Sequence, residues 1–196
     1  MKRCLRNALF ALAALPLLGG CFAAVVGGAA AGAGAAHDRR SFRTVMDDRN
    51  IQLSAYDNLN KDKELALENN VSITVYNGVM LLTGEVRTPE LKERAEGRTA
   101  GFEGVRRTVN DIEVREPEGF WSRRRDNTIT AHVKTALLDI VDLPGFDPTR
   151  VNLTTVHRTV YLMGVLTREE AERVVEVVRN VAGVEKVVRV LEYRDE

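Results

Sequence analysis

Two short stretches carry side chains whose type and spacing could do chemistry. The first is Leu18-Gly19-Gly20-Cys21. Two glycines leave the backbone open to a peptidase, and the thiol behind them is a nucleophile that can take up diacylglycerol. The second is Arg123-Arg124-Arg125 with Trp121 just ahead of it. Guanidinium groups bind phosphate through paired hydrogen bonds, and an indole settles at the boundary between water and lipid. Little else invites chemistry. His37, His132 and His157 are scattered, and Cys4 and Cys21 are the only cysteines, so no metal-binding spacing appears. No nucleophile stands beside an evident base, and the many Asp and Glu residues fall on predicted polar helix faces. Neither an enzyme nor a cofactor is expected.

The first stretch ends a segment built for export. Lys2, Arg3 and Arg6 form a positive start, and an apolar run from Ala8 to Leu18 follows, broken only by Pro16. With Leu18–Cys21 behind it, the segment resembles a bacterial lipoprotein signal. That resemblance implies cleavage before Cys21 and acylation of its thiol, palmitate included, and Phe22 in place of Asp after the cysteine implies sorting to the outer membrane. An uncleaved transmembrane anchor is the alternative, because apolar residues continue to Ala36. After cleavage, however, only sixteen residues precede His37, short of the roughly 20 that span a bilayer. The Gly27–Gly34 stretch reads as a flexible tether, with small-residue helix packing as the other reading. Loss of Cys4 with the signal and occupation of Cys21 by lipid leave no disulfide.

Charge sets a further bound. The 28 basic and 28 acidic residues balance, and loss of Lys2, Arg3 and Arg6 leaves 25 against 28. Global basicity therefore cannot draw the protein to a membrane or to nucleic acid, and no nucleic-acid partner is expected. Any anion site must be local.

The rest of the chain repeats itself. Val71-Ser-Ile-Thr-Val-Tyr-Asn-Gly-Val-Met-Leu-Leu-Thr-Gly84 aligns without gaps on Val151-Asn-Leu-Thr-Thr-Val-His-Arg-Thr-Val-Tyr-Leu-Met-Gly164, 80 residues on. Gly104-Val105 pairs with Gly183-Val184, Glu113 with Glu192, and Ile51, Ala55 and Leu59 with Ile129, Val133 and Leu137. Such a period suits a duplicated small domain better than a solenoid.

Each copy carries the same succession of patterns. Apolar residues at i, i+4 and i+8 predict a first helix with Ile51, Ala55 and Leu59, or Ile129, Val133 and Leu137, inward. Val71, Ile73 and Val75 alternate with polar residues, Asn77-Gly78 is a hairpin turn signal, and Val79 to Glu85 returns as a strand. The second copy turns at His157-Arg158-Thr159 without the glycine. Thr167–Glu170 reads as a capping box for a helix with Ala171, Val174, Val175, Val178 and Ala182 on its apolar face. Thr88-Pro89 starts its counterpart. Val105 to Val114 and Val184 to Tyr193 close the units as strands. The expected fold is α+β: helix, strand, strand, helix, strand, twice, each with a three-stranded sheet.

The recurring glycines and the run Ile73–Gly84 give that order a family likeness. The chain resembles the BON domain in duplicate, and with the signal it is similar to the dual-BON lipoproteins of the Gram-negative outer membrane. Divided on that likeness, residues 1–20 are signal, 21–45 lipidated tether, 46–115 the first domain, 116–126 linker and 127–196 the second domain. The resemblance implies a non-enzymatic protein at the periplasmic face of the outer membrane, anchored through Cys21. It further implies support of membrane integrity, binding of anionic phospholipid such as phosphatidylglycerol or cardiolipin, and links to the division site and to outer-membrane protein assembly. Lipid contact is implied at the first helix of the second domain, where Thr128, Ala131, His132 and Thr135 share the side opposite the core. Trp121, Arg123, Arg124 and Arg125 stand just before it. Members of the family carry an aromatic near position 128, where this chain has Thr128. An ordinary solvated basic linker is the alternative reading of the arginines. A protein-interaction module, binding an assembly partner through sheet faces or the arginine-rich segment, is the alternative for the whole chain.

Overall fold

Ser41 begins the first helix. Its side chain accepts from the Thr44 N–H at 3.1 Å, capping α1 (Phe42–Asn60). The computed structural model describes residues 38–68 and 70–194; the expected signal, Cys21 and the tether as far as His37 lie outside them. Within Asp38–Glu196, which form one compact unit, the elements after α1 are α2 (Lys63–Glu68), β1 (Ser72–Tyr76), β2 (Val79–Thr83), β3 (Glu85–Val86), α3 (Pro89–Thr99), β4 (Arg107–Asn110) and β5 (Glu113–Val114). The second repeat supplies α4 (Phe120–Leu138), β6 (Asn152–Val156), β7 (Thr159–Leu166), α5 (Arg168–Arg179) and β8 (Lys186–Tyr193). Among the described residues, no helix is long and apolar enough to cross a membrane.

Both leading helices start earlier than their apolar stripes suggest. Each is 19 residues long and opens on a phenylalanine, Phe42 or Phe120. Residues 120–126, expected as linker, are the first turns of α4, and residues 42–45, expected as tether, belong to α1. The reason lies in their chemistry: Gly119, extended in the N-cap position, lets the chain enter the helix, and arginine is a good helix former.

A carboxylate in each of these early turns reaches across to a hairpin. Asp48 accepts from the N–H groups of Asn77 (2.6 Å) and Gly78 (2.8 Å), and Asp126 accepts from those of His157 (2.9 Å) and Arg158 (3.0 Å). Both turns contain two residues at positive φ, the hairpin geometry whose twist matches antiparallel strands. The second turn manages this without glycine, His157 and Arg158 lying at φ 50° and 61°. The left-handed region costs non-glycine residues roughly 1–2 kcal/mol each, and the two charge-assisted hydrogen bonds to Asp126 offset it.

The second helices are capped as expected. Thr88 accepts from Leu91 N with Pro89 in the first turn, and Thr167 and Glu170 form a reciprocal capping box. Ala171, Val174, Val175 and Val178 are buried; Ala182, expected with them, lies beyond α5 and is exposed. In the second repeat β7 pairs antiparallel with β6 and parallel with β8 along its whole length. In the first, the same ladder is split at Gly84 into the sheet β1-β2-β4 and the pair β3-β5. Gly84 sits at φ 101°, and a Cβ there would lie 2.0 Å from the Asn70 carbonyl oxygen. The helix α2 has no counterpart in the expected order.

Each repeat has its own core between sheet and helices. One contains Ala55, Leu59, Met80, Leu82 and Leu91, the other Val133, Leu137, Val160, Leu162 and Val174. A third core lies between the two sheets: Tyr76, Val79 and Leu81 meet Tyr161, Met163 and Val190. This explains why every residue of β2 is buried, since one face packs on helices and the other on the second repeat. Six such side chains, at about 1.5–3 kcal/mol each when fully buried, matter greatly to units of this size. The two repeats thus share a core within one compact unit.

Equivalent positions also meet across the seam. Asn77 donates to Glu192 at 3.2 Å, while His157, its repeat counterpart, places Nδ1 3.3 Å from Glu113, the counterpart of Glu192. His157 Nε2 further lies 2.9 Å from the buried Glu85 carboxylate. The chain entering α1 crosses the same seam: Arg39 forms a two-pronged pair with Glu170 (2.5 and 2.8 Å), and Arg40 bridges Asp38 and Asp48.

Candidate functional site

With both sheet faces closed, exposed apolar and basic side chains concentrate on helix surfaces. On α4, Asp126, Ile129, Val133 and Leu137 are buried. The opposite side is reached by steps of three and four from Trp121 through Arg124, Thr128, Ala131, His132 and Thr135, all exposed. Burial of one stripe therefore fixes the other as a continuous outer face.

At its N-terminal end Phe120 and Trp121 project into solvent, 59% and 75% exposed. Their rings meet edge to face at 5.5 Å, and the Arg124 guanidinium lies 5.5 Å from one ring centre and 5.7 Å from the other. A cation is thus held against two unburied aromatics. Neither Arg124 nor Arg125 has a carboxylate partner among the described residues.

The expected site residues do not all converge. Arg123 leaves this face, its guanidinium lying 3.4 Å from the Asn70 side chain, because each successive arginine is rotated about 100° around the helix from the one before it. Thr128 and Thr135 occupy the face but spend their hydroxyl protons on the carbonyls of Arg124 (3.0 Å) and Ala131 (3.1 Å). Trp121 shares the helix with Thr128, about two turns before it, rather than lying in a linker. Phe120 is a member of the site that sequence reasoning missed. The signal was available: it stands 78 residues after Phe42, at the repeat offset of the leading helices.

The arrangement presents apolar rings beside unpaired guanidinium groups. It can enter a lipid headgroup layer and meet phosphate there. It holds no nucleophile paired to a base, and no group of three metal-ligating side chains occurs among the described residues.

Comparison with known proteins matches the BON domain twice, over residues 47–116 and 125–195. The outer membrane lipoprotein DolP of Haemophilus influenzae is 31% identical over 97% of this chain and 97% of its own. A 21 kDa hemolysin of Actinobacillus pleuropneumoniae is 35% identical over 80% of this chain and 79% of its own.

Proposed function

Since this chain belongs to the BON-domain family, with the domain present twice, we propose that it is an outer-membrane lipoprotein whose second domain binds anionic phospholipid through the outer face of α4. The observation that carries the reading is the exposed cluster of Phe120, Trp121 and Arg124 with Arg125 beside it. Each basic residue near an anionic surface contributes about 1 kcal/mol, and the aromatic pair adds insertion into the headgroup layer. Phosphatidylglycerol and cardiolipin are the lipids that match this chemistry. Acylated Cys21 holds the chain at the periplasmic face, so α4 operates at high effective concentration over the membrane. Its role is non-enzymatic support of outer-membrane integrity, at the division site and alongside outer-membrane protein assembly.

The test uses residues 21–196 with Cys21→Ser, so that binding does not come from the anchor. Sedimentation with phosphatidylglycerol vesicles should exceed that with phosphatidylcholine vesicles, weaken from low to moderate salt, and fall on Arg124→Ala with Arg125→Ala. Equal and negligible binding to both lipids contradicts the proposal. The protein-interaction reading has lost its sheet faces to the third core, but Phe42, Met46 and Leu53 leave an exposed apolar stripe on α1. Co-purification of a membrane protein lost on substitution of that stripe, with vesicle binding absent, favours it instead.

A further inference from the structure

The largely apolar groove beside the C-terminal half of α4 has a volume of about 470 Å³, within the range of small-molecule sites. Leu137, Pro148, Val151 and Leu153 supply apolar wall, and Leu138, at the lip, is 66% exposed. Arg40 closes one side, stacked 3.6 Å over the Tyr76 ring, but its guanidinium is committed to Asp38 and Asp48. Lys134 is different. It lines the same groove and has no ion-pair partner among the described residues.

We propose that this groove is a subsite for one acyl chain of an anionic phospholipid, with the Lys134 ammonium at its rim taking the phosphate. The proposal rests on the membrane-binding reading of α4 and deepens it. The same helix carries the outer face and the groove wall, so a lipid met by Arg124 and Trp121 has an apolar channel within its own length. Charge complementarity selects the occupant: an apolar trough with one free cation at its edge fits an anionic amphiphile, whereas a neutral lipid leaves the ammonium unanswered. Leu138 forms an uncovered apolar lip over which a chain leaves the bilayer.

The experiment titrates the Cys21→Ser form of residues 21–196 calorimetrically with palmitoyl lysophosphatidylglycerol below its micelle concentration. Lysophosphatidylcholine, with the same tail but a phosphate balanced by its own choline, and glycerol phosphate, with no tail, serve as the charge and tail controls. Saturable one-to-one binding of the anionic lysolipid is expected, about tenfold or more weaker for lysophosphatidylcholine and absent for glycerol phosphate. Lys134→Glu, at an exposed helix position, and Asn152→Trp, which fills the groove, should each weaken it about tenfold. No saturable binding, equal binding of glycerol phosphate, or indifference to both substitutions overturns the subsite. Vesicle sedimentation run in parallel keeps the two readings apart. Vesicle binding without lysolipid binding removes the groove and leaves the α4 face standing, whereas the reverse removes the face and leaves the groove.

Discussion

The carboxylate of Asp126 holds the backbone of His157, accepting its N–H at 2.9 Å and that of the next residue at 3.0 Å. This joins the first turns of α4 to a hairpin turn that contains no glycine. Asp126→Ala should therefore lower stability by about 2–3 kcal/mol, the range for a lost hydrogen bond to a charged group with its donors left unsatisfied. Asp48→Ala should cost more, because Arg40 also loses a partner. Urea unfolding midpoints compared at constant m-value check both.

Two glycines should respond in opposite directions. Gly97 lies inside α3 with nothing within 4 Å of a new Cβ, so Gly97→Ala should raise stability by about 0.5–1 kcal/mol. At Gly84 the added Cβ meets backbone at 2.0 Å and φ is positive, so Gly84→Ala should destabilise by more than about 2 kcal/mol. Thermal melts of the two variants decide the matter.

Tyr161 reports on the seam between repeats. Burial first, then its hydrogen bond to Asp111 at 2.7 Å, raises its pKa well above the ordinary tyrosine value. A raised phenol pKa contributes stability that is fully present below the unfolded value near 10 and is lost as pH rises beyond it. The wild type should accordingly lose stability above about pH 10, and Tyr161→Phe should flatten that loss. Unfolding curves at pH 8 to 11 measure it.

Glu170 gives the acid counterpart. Burial raises its pKa, but the hydrogen bond from Arg39, the Thr167 N–H and the charges of Arg39 and Arg150 outweigh it, leaving the group below its ordinary value. Stability from a depressed carboxylate is complete above the unfolded value near 4.3 and disappears as pH falls through the folded one. Acidification below about pH 4 should thus weaken the Arg39–Glu170 contact. In Arg39→Ala, that part of the acid sensitivity should be missing.

Periodicity made most of the fold legible. The stripe Ile129-Val133-Leu137 and the capping box at Thr167 each depend on residues within a few turns of one another, and the 80-residue offset shows such local patterns occurring twice, so they survive in a single sequence. The helix starts were not legible in the same way. Residues 120–126 bury only Asp126, whose partner turn lies 31 positions downstream, so no apolar period marks them as helix. Nor was the third core visible. The outward faces of β2 and β7 carry Leu81, Tyr161 and Met163, which announce burial without saying against what. At the candidate site, the stripe opposite Ile129 followed from helical geometry alone. The fanning of Arg123, Arg124 and Arg125 around α4, each about 100° from the next, follows from the same geometry, but only once the helix is known to include them.

Trp121 is the single tryptophan of the chain, and it stands on the face assigned to lipid. Its fluorescence, recorded on residues 21–196 with Cys21→Ser during titration with phosphatidylglycerol and phosphatidylcholine vesicles, tests that assignment without any introduced probe. A blue shift and protection from aqueous quencher are expected with phosphatidylglycerol alone, both lost on Arg124→Glu with Arg125→Glu. A spectrum that stays that of a solvent-exposed indole while the protein sediments with those vesicles would contradict it, because the membrane would then be meeting some other face.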